Sequence, residues 1–170
     1  MFSFFSQVRV KRVLFTGLVL VLLAGFLGGC KTEPADDGVN KPGSLPNGLV
    51  GKWATAYDSF EITTGAIKYD DGGYDYGYEG TIEFVSNYDS KSGLIIVKYT
   101  TGGNATKPYH AIYYLNFTTG TVELNNTSDS TVADYNADTA TLEQAKEKFT
   151  KGSMGNYMDF SYSTPYTKQN

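Results

Sequence analysis

Apolar and polar residues alternate along much of the chain beyond Gly48, and glycine-rich turns punctuate the alternation. Segments 52–57, 60–63 and 66–69 are predicted as short strands, with Thr64-Gly65 a tight turn between the last two and 70–73 (Asp-Asp-Gly-Gly) another turn. The longest alternating run is 74–85: Tyr74, Tyr76, Tyr78, Gly80, Ile82 and Phe84 share one face, and Asp75, Glu79, Thr81 and Glu83 the other. A period of two marks a half-buried strand. Segment 94–100 opens as a continuous apolar run, the pattern of a strand covered on both faces. Segment 109–117 alternates again, with Tyr109, Ala111, Tyr113, Leu115 and Phe117 together, and Thr119-Gly120 turns into a strand over 121–124. The period then changes once, and a single helix is predicted over 138–151. Thr141 and Gln144 have the spacing of a capping box, Leu142, Ala145 and Phe149 form an apolar stripe, and Gly152 ends it. An extended piece over 157–162 closes the chain. The fold class expected is all-β with one C-terminal helix: a small antiparallel barrel or strongly curled sheet, then the helix, then a closing strand.

The N-terminal third has a different character. Arg9, Lys11 and Arg12 precede an uncharged apolar run, 13–29, that ends Leu27-Gly28-Gly29-Cys30. A positive head, an apolar middle and small residues before a cut describe a secretory signal. The last four residues fit the bacterial lipobox, in which the cysteine is acylated and the chain is cut before it. The run approaches the length of a membrane span, but paired glycines at its end are poor helix formers and the only cysteine stands at the cut. The organisation expected is a lipoprotein signal peptide over 1–29, a lipidated Cys30 with a flexible tether over 30–47, and one β-barrel-like domain over 48–170. The tether holds three prolines and little that is apolar, too little to order itself, and reaches roughly 20–25 Å.

Cleavage at Cys30 alters the charge. Three of the 14 Lys and Arg lie before it and none of the 18 acidic residues does, so the remainder carries about −7. That excludes nucleic acid as a partner and a basic patch on anionic lipid as the anchor; the membrane is met through lipid on Cys30. No other thiol exists for a disulfide, so the fold rests on its core.

The order of elements, with Gly51-Lys52-Trp53 opening the first strand, resembles the lipocalin or calycin plan, in which a Gly-X-Trp motif begins an antiparallel barrel. That likeness implies a barrel-closing role for Trp53, usually beneath an arginine from late in the chain; no arginine follows Arg12 here, which leaves the position empty or to a lysine. Segments 80–87 and 93–100, the helix over 139–150 and the Gly152–Tyr157 tail together resemble small envelope lipoproteins of host-associated spirochaetes of the Treponema type. This resemblance implies a lipid-anchored barrel in the cell envelope, at the outer membrane or cell surface rather than the inner membrane, and supplies no catalytic residues.

Candidate chemistry is sparse. His110 is the only histidine, so no histidine or cysteine zinc site can be assembled, and no catalytic constellation, metal site or cofactor is expected. Glu79 and Glu83 share a strand face at roughly 13 Å between alpha carbons, wide for a glycosidase pair, and solvent-facing carboxylates describe them better. Asp70, Asp71 and Asp75 around two glycines are oxygen ligands in number, without the spacing of a calcium loop. All 14 tyrosines lie beyond Cys30. Tyr74, Tyr76 and Tyr78, about 7 Å apart along one face, with Tyr109 and Tyr113 on a second strand, are the candidate ligand-binding ladder; cross-strand packing is the competing account. The function expected is a lipid-anchored envelope binding module, meeting a small molecule, a glycan or a host or envelope protein through aromatic contact. The alternatives are a protease-directed inhibitor that inserts its tether, and a passive surface coat.

Overall fold

A computed structural model of the chain describes residues 43–158 and 164–170. The expected signal peptide, Cys30 and most of the tether lie outside the described residues, as does most of the closing strand expected over 157–162.

Eight antiparallel strands run up and down in chain order and close into a barrel. They are β1 (Gly51–Ala54), β2 (Ser59–Ile62), β3 (Ala66–Asp70), β4 (Tyr78–Asn87), β5 (Gly93–Thr101), β6 (Tyr109–Leu115), β7 (Thr121–Asn126) and β8 (Tyr166–Gln169). β8 pairs with both β7 and β1, which removes the sheet edge. Eight strands enclose a space that side chains can fill, and here they do: Trp53, Phe60, Ile67, Val97, Ile112 and Tyr114 are among the interior residues with almost no exposure.

A second apolar cluster lies outside the sheet, where α1 (Leu142–Lys148) packs Ala145 and Phe149 onto Leu94, Ile96, Ala111 and Tyr113. β5 and β6 are therefore covered on both faces, as the continuous apolar run in β5 requires. The Thr141–Gln144 capping box forms as expected. The helix is shorter than the expected 138–151 at both ends: Thr141 is its N-cap, and Phe149 leaves the helical conformation to cap its end three residues before Gly152. A further turn of helix, α2 (Met154–Tyr157), stands where the closing strand was expected to begin, and that strand forms later, as β8.

Two departures from simple alternation matter. The ladder between β4 and β5 shifts register between Ile82 and Phe84, and one extra residue at such a bulge reverses the facing of the residues beyond it. Phe84 consequently joins the cluster under α1, while Ile82 packs against the interior. The expected strand over 74–85 also begins only at Tyr78.

Loops 63–65, 88–92 and 116–120 gather at the end where β1 begins. Trp53 lies beside it, fully buried, its Nε1 donating to the Leu49 carbonyl at 2.7 Å and its ring edge-on to Phe117. Lys168 of β8 places its Nζ 5.1 Å from the Trp53 ring centroid and donates to the Gly48 carbonyl at 2.6 Å, so a lysine stands over the indole. Gly51 leaves room for that lysine: its φ is +143°, and a Cβ there would lie 2.9 Å from the Lys168 Cε. Residues 43–47, expected as tether, lie on the barrel at this same end. Gly43 N donates to the Val85 carbonyl, the Asn87 amide donates to the Ser44 carbonyl, and Leu45 packs against the interior cluster.

Candidate functional site

The opposite end of the barrel carries loops 55–58, 71–77 and 102–108, together with the long connection from β7 to β8. Its chemistry begins with β4, β5 and β6, whose inward positions here are aromatic. Tyr99 stacks on His110 and Tyr78 meets both edge-on, with ring centroids 5.1 to 5.6 Å apart. His110 sits on the inward face of β6 with Ile112 and Tyr114, paired across the ladder with Val97.

Thr139 bridges back to Tyr109 through two backbone hydrogen bonds and so delivers the neighbouring Asp138 to the histidine. His110 Nδ1 lies 2.7 Å from Asp138 Oδ1, and Nε2 lies 3.1 Å from Asn126 Oδ1. Oxygen atoms therefore stand at both ring nitrogens. Tyr78 donates to the same Asn126 oxygen at 2.6 Å, and Tyr99 and the Asn136 amide donate to Asp138 at 3.3 Å. Burial, and then the Asp138 charge, push the Tyr99 hydroxyl well above its ordinary range. The cleft above this network has a volume of about 590 Å³; Asp75, Tyr76, Tyr78, Tyr99, Asn136 and Asp138 contribute to its lining. His110 does not reach the cleft wall and both its ring nitrogens are engaged, so the arrangement orients polar groups more readily than it moves a proton to a ligand.

A second cleft, of about 480 Å³, lies beside the first and shares Tyr76 with it. Asp58, at the turn into β2, forms its polar base: Tyr166 of β8 donates to Oδ2 at 2.5 Å, Tyr69 of β3 at 3.3 Å, and the Thr55 hydroxyl binds Oδ1. Burial, then the Asp58 contacts, raise both tyrosine hydroxyls. Tyr57, Tyr74 and Tyr76 complete the lining and are 80 %, 74 % and 80 % exposed. The loop holding two of them is fixed by Asp71, which accepts from the backbone N–H groups of Gly73, Tyr74 and Tyr76. Those bonds, Tyr76's above all, hold the Asp71 carboxyl below its ordinary range. Gly72 presses against the neighbouring loop so closely that a Cβ would lie 1.9 Å from the Tyr57 carbonyl oxygen.

The five expected tyrosines do not form one ladder. Tyr74 and Tyr76 stand at the cleft rim on a loop, because Asp75 takes a left-handed backbone (φ 66°) that ends the alternation. Tyr78 is an interior residue. Tyr113 faces α1, fully buried, and donates to the Thr150 carbonyl at 3.1 Å; Tyr109 lies on that same outer face, half-buried beneath Lys98. Both have opposite parity on β6 to inward His110 and line neither cleft. Glu79 and Glu83 are exposed on the outer face of β4, the first paired with Lys68 at 2.9 Å and the second accepting from Thr81. Asp71 turns its oxygens toward its own loop, and no cluster of metal-ligating side chains occurs among the described residues. Sequence reasoning passed over Asp58, Tyr69, Tyr99, Asn126, Asp138 and Tyr166. Tyr99 and Tyr69 had a signal, since the first shares parity with Ile95 and Val97 on β5 and the second with Ile67 on β3.

Comparison with protein-family models, with curated proteins and with solved structures finds no match to this chain.

Proposed function

We propose that this chain is a lipid-anchored binding module of the bacterial envelope, which recognises its ligand through the tyrosine-lined end of the barrel. The observation that carries the reading is the grouping of Tyr57, Tyr74 and Tyr76, all largely exposed, around one cleft with a hydrogen-bonded carboxylate at its base. Large exposed rings in one place are uncommon on a surface that contacts only water, and tyrosine joins broad contact area to a hydroxyl that can pair. The filled interior leaves recognition to the clefts at the end. Residues 43–47 meet the barrel at the end opposite the tyrosines.

Native mass spectrometry of the protein purified from its own cells tests this, comparing the wild-type chain with a Tyr57→Ala, Tyr74→Ala, Tyr76→Ala variant. All three side chains are exposed, so the variant keeps its fold. The expected result is a co-purifying species on the wild-type chain that the variant has lost. A species retained by the variant contradicts the site, and a bare wild-type chain favours a passive coat. Palmitate incorporation abolished by Cys30→Ser is the expected outcome for the anchor.

A further inference from the structure

We propose that the cleft between loops 55–58 and 71–77 takes a small organic cation, carried as a quaternary ammonium or an alkylamine. The inference rests on the reading of the tyrosine end as a binding site and gives that site a ligand class. Five tyrosines line this cleft, Tyr57, Tyr69, Tyr74, Tyr76 and Tyr166, together with Asp58 and Asp71 and without a lysine. The face of an aromatic ring carries partial negative charge and attracts a cation placed over it. Two carboxylates add full charges of the same sign, and at these distances they reinforce the rings. The described partners of Asp58 are hydroxyl groups and those of Asp71 are backbone N–H groups, so the negative charge of both stays in place.

Other ligand classes fit less well. An anion would meet two carboxylates and no positive side chain. A neutral ligand would use the rings and hydroxyls but leave the charge unanswered. The adjoining cleft carries Asp75 and Asp138 in its lining and again no lysine. The volume of about 480 Å³ lies in the range of small-molecule sites.

The test uses the full-length chain in a polyoxyethylene detergent, titrated with choline and with the uncharged choline analogue in which a tert-butyl group replaces the trimethylammonium. The two probes match in shape and differ in charge, and tyrosine fluorescence reports binding. Choline is expected to bind saturably and at least about tenfold more tightly than its analogue, the scale of one desolvated ring–cation contact. Tyr74→Ala with Tyr76→Ala is expected to weaken choline by about tenfold or more. Tyr135→Ala, exposed but outside both clefts, should leave it unchanged. Asp58→Asn should narrow the preference for the charged probe. Equal affinity for the two probes, no choline binding, or choline binding indifferent to the rim variants overturns the inference. Binding of a neutral disaccharide in choline's place, lost in the rim variants, overturns the cation while the binding reading stands. That reading falls separately, if the triple rim variant retains the co-purifying species.

Discussion

His110 and Asp138 are each less than one-tenth exposed, and neither stands alone: removing the carboxylate strips His110, Tyr99 and Asn136 of an acceptor at once. A buried pair broken on one side leaves its partner desolvated and unanswered. Asp138→Ala should therefore lower stability by about 1–3 kcal/mol or more in urea unfolding, as buried donors left unsatisfied do, and a loss below about 1 kcal/mol would show the network to be peripheral. At this scale little could be read from the chain. Asp138 sits 28 positions from His110 in a polar stretch, and only the bridge between Thr139 and Tyr109 brings it inward. Trp53 was more legible, because its Gly-X-Trp setting implied a position at one barrel end and the missing arginine left the place above it empty or to a lysine. Lys168 now stands over the ring.

Elements followed the hydrophobic pattern where packing on a sheet decided them. Every predicted strand from 52–57 to 121–124 overlaps one in the barrel, and the capping box placed the start of α1. The pattern misled where backbone geometry overrode it. The run from Tyr74 to Tyr78 alternates like a strand, yet Asp71 collects the loop's N–H groups and Asp75 turns left-handed. The bulge after Ile82 likewise reversed a face that parity alone had joined. Gly72 is the pivot of the rim, with φ +72° and no room for a Cβ against the Tyr57 carbonyl. Gly72→Ala should cost at least about 1 kcal/mol through its left-handed backbone alone and should also force loops 55–58 and 71–77 apart, read as new proteolytic cleavage in both. Gly73 is a control with φ +107° and open space around it: Gly73→Ala should carry the backbone cost and leave the loops closed. Equal cleavage in the two variants would contradict the close approach.

At the scale of the whole molecule the tyrosines tie stability to pH. Burial raises the hydroxyls of Tyr69, Tyr78, Tyr99, Tyr114 and Tyr166, and pushes Tyr113 up to about 12. Unfolded phenols release their protons near 10, so above that pH the unfolded state binds fewer protons than the folded one and stability falls. The contribution is complete below pH 10 and is lost as the pH rises through the folded values. The phenolate absorbance of the buried tyrosines and the near-ultraviolet dichroism should change together in one alkaline step; buried tyrosines that ionise near pH 10 in an intact fold would contradict this. The same crowding of rings fills the barrel, and recognition as proposed is left to its rim. Hydrogen-exchange mapping tests that claim most directly, on the full-length chain as isolated from its own cells and again after co-purifying material is washed away. Protection at 55–58 and 71–77 is expected to be lost on washing. Protection lost instead at 63–65, 88–92 and 116–120, or no change at either end, would contradict recognition at the tyrosine rim.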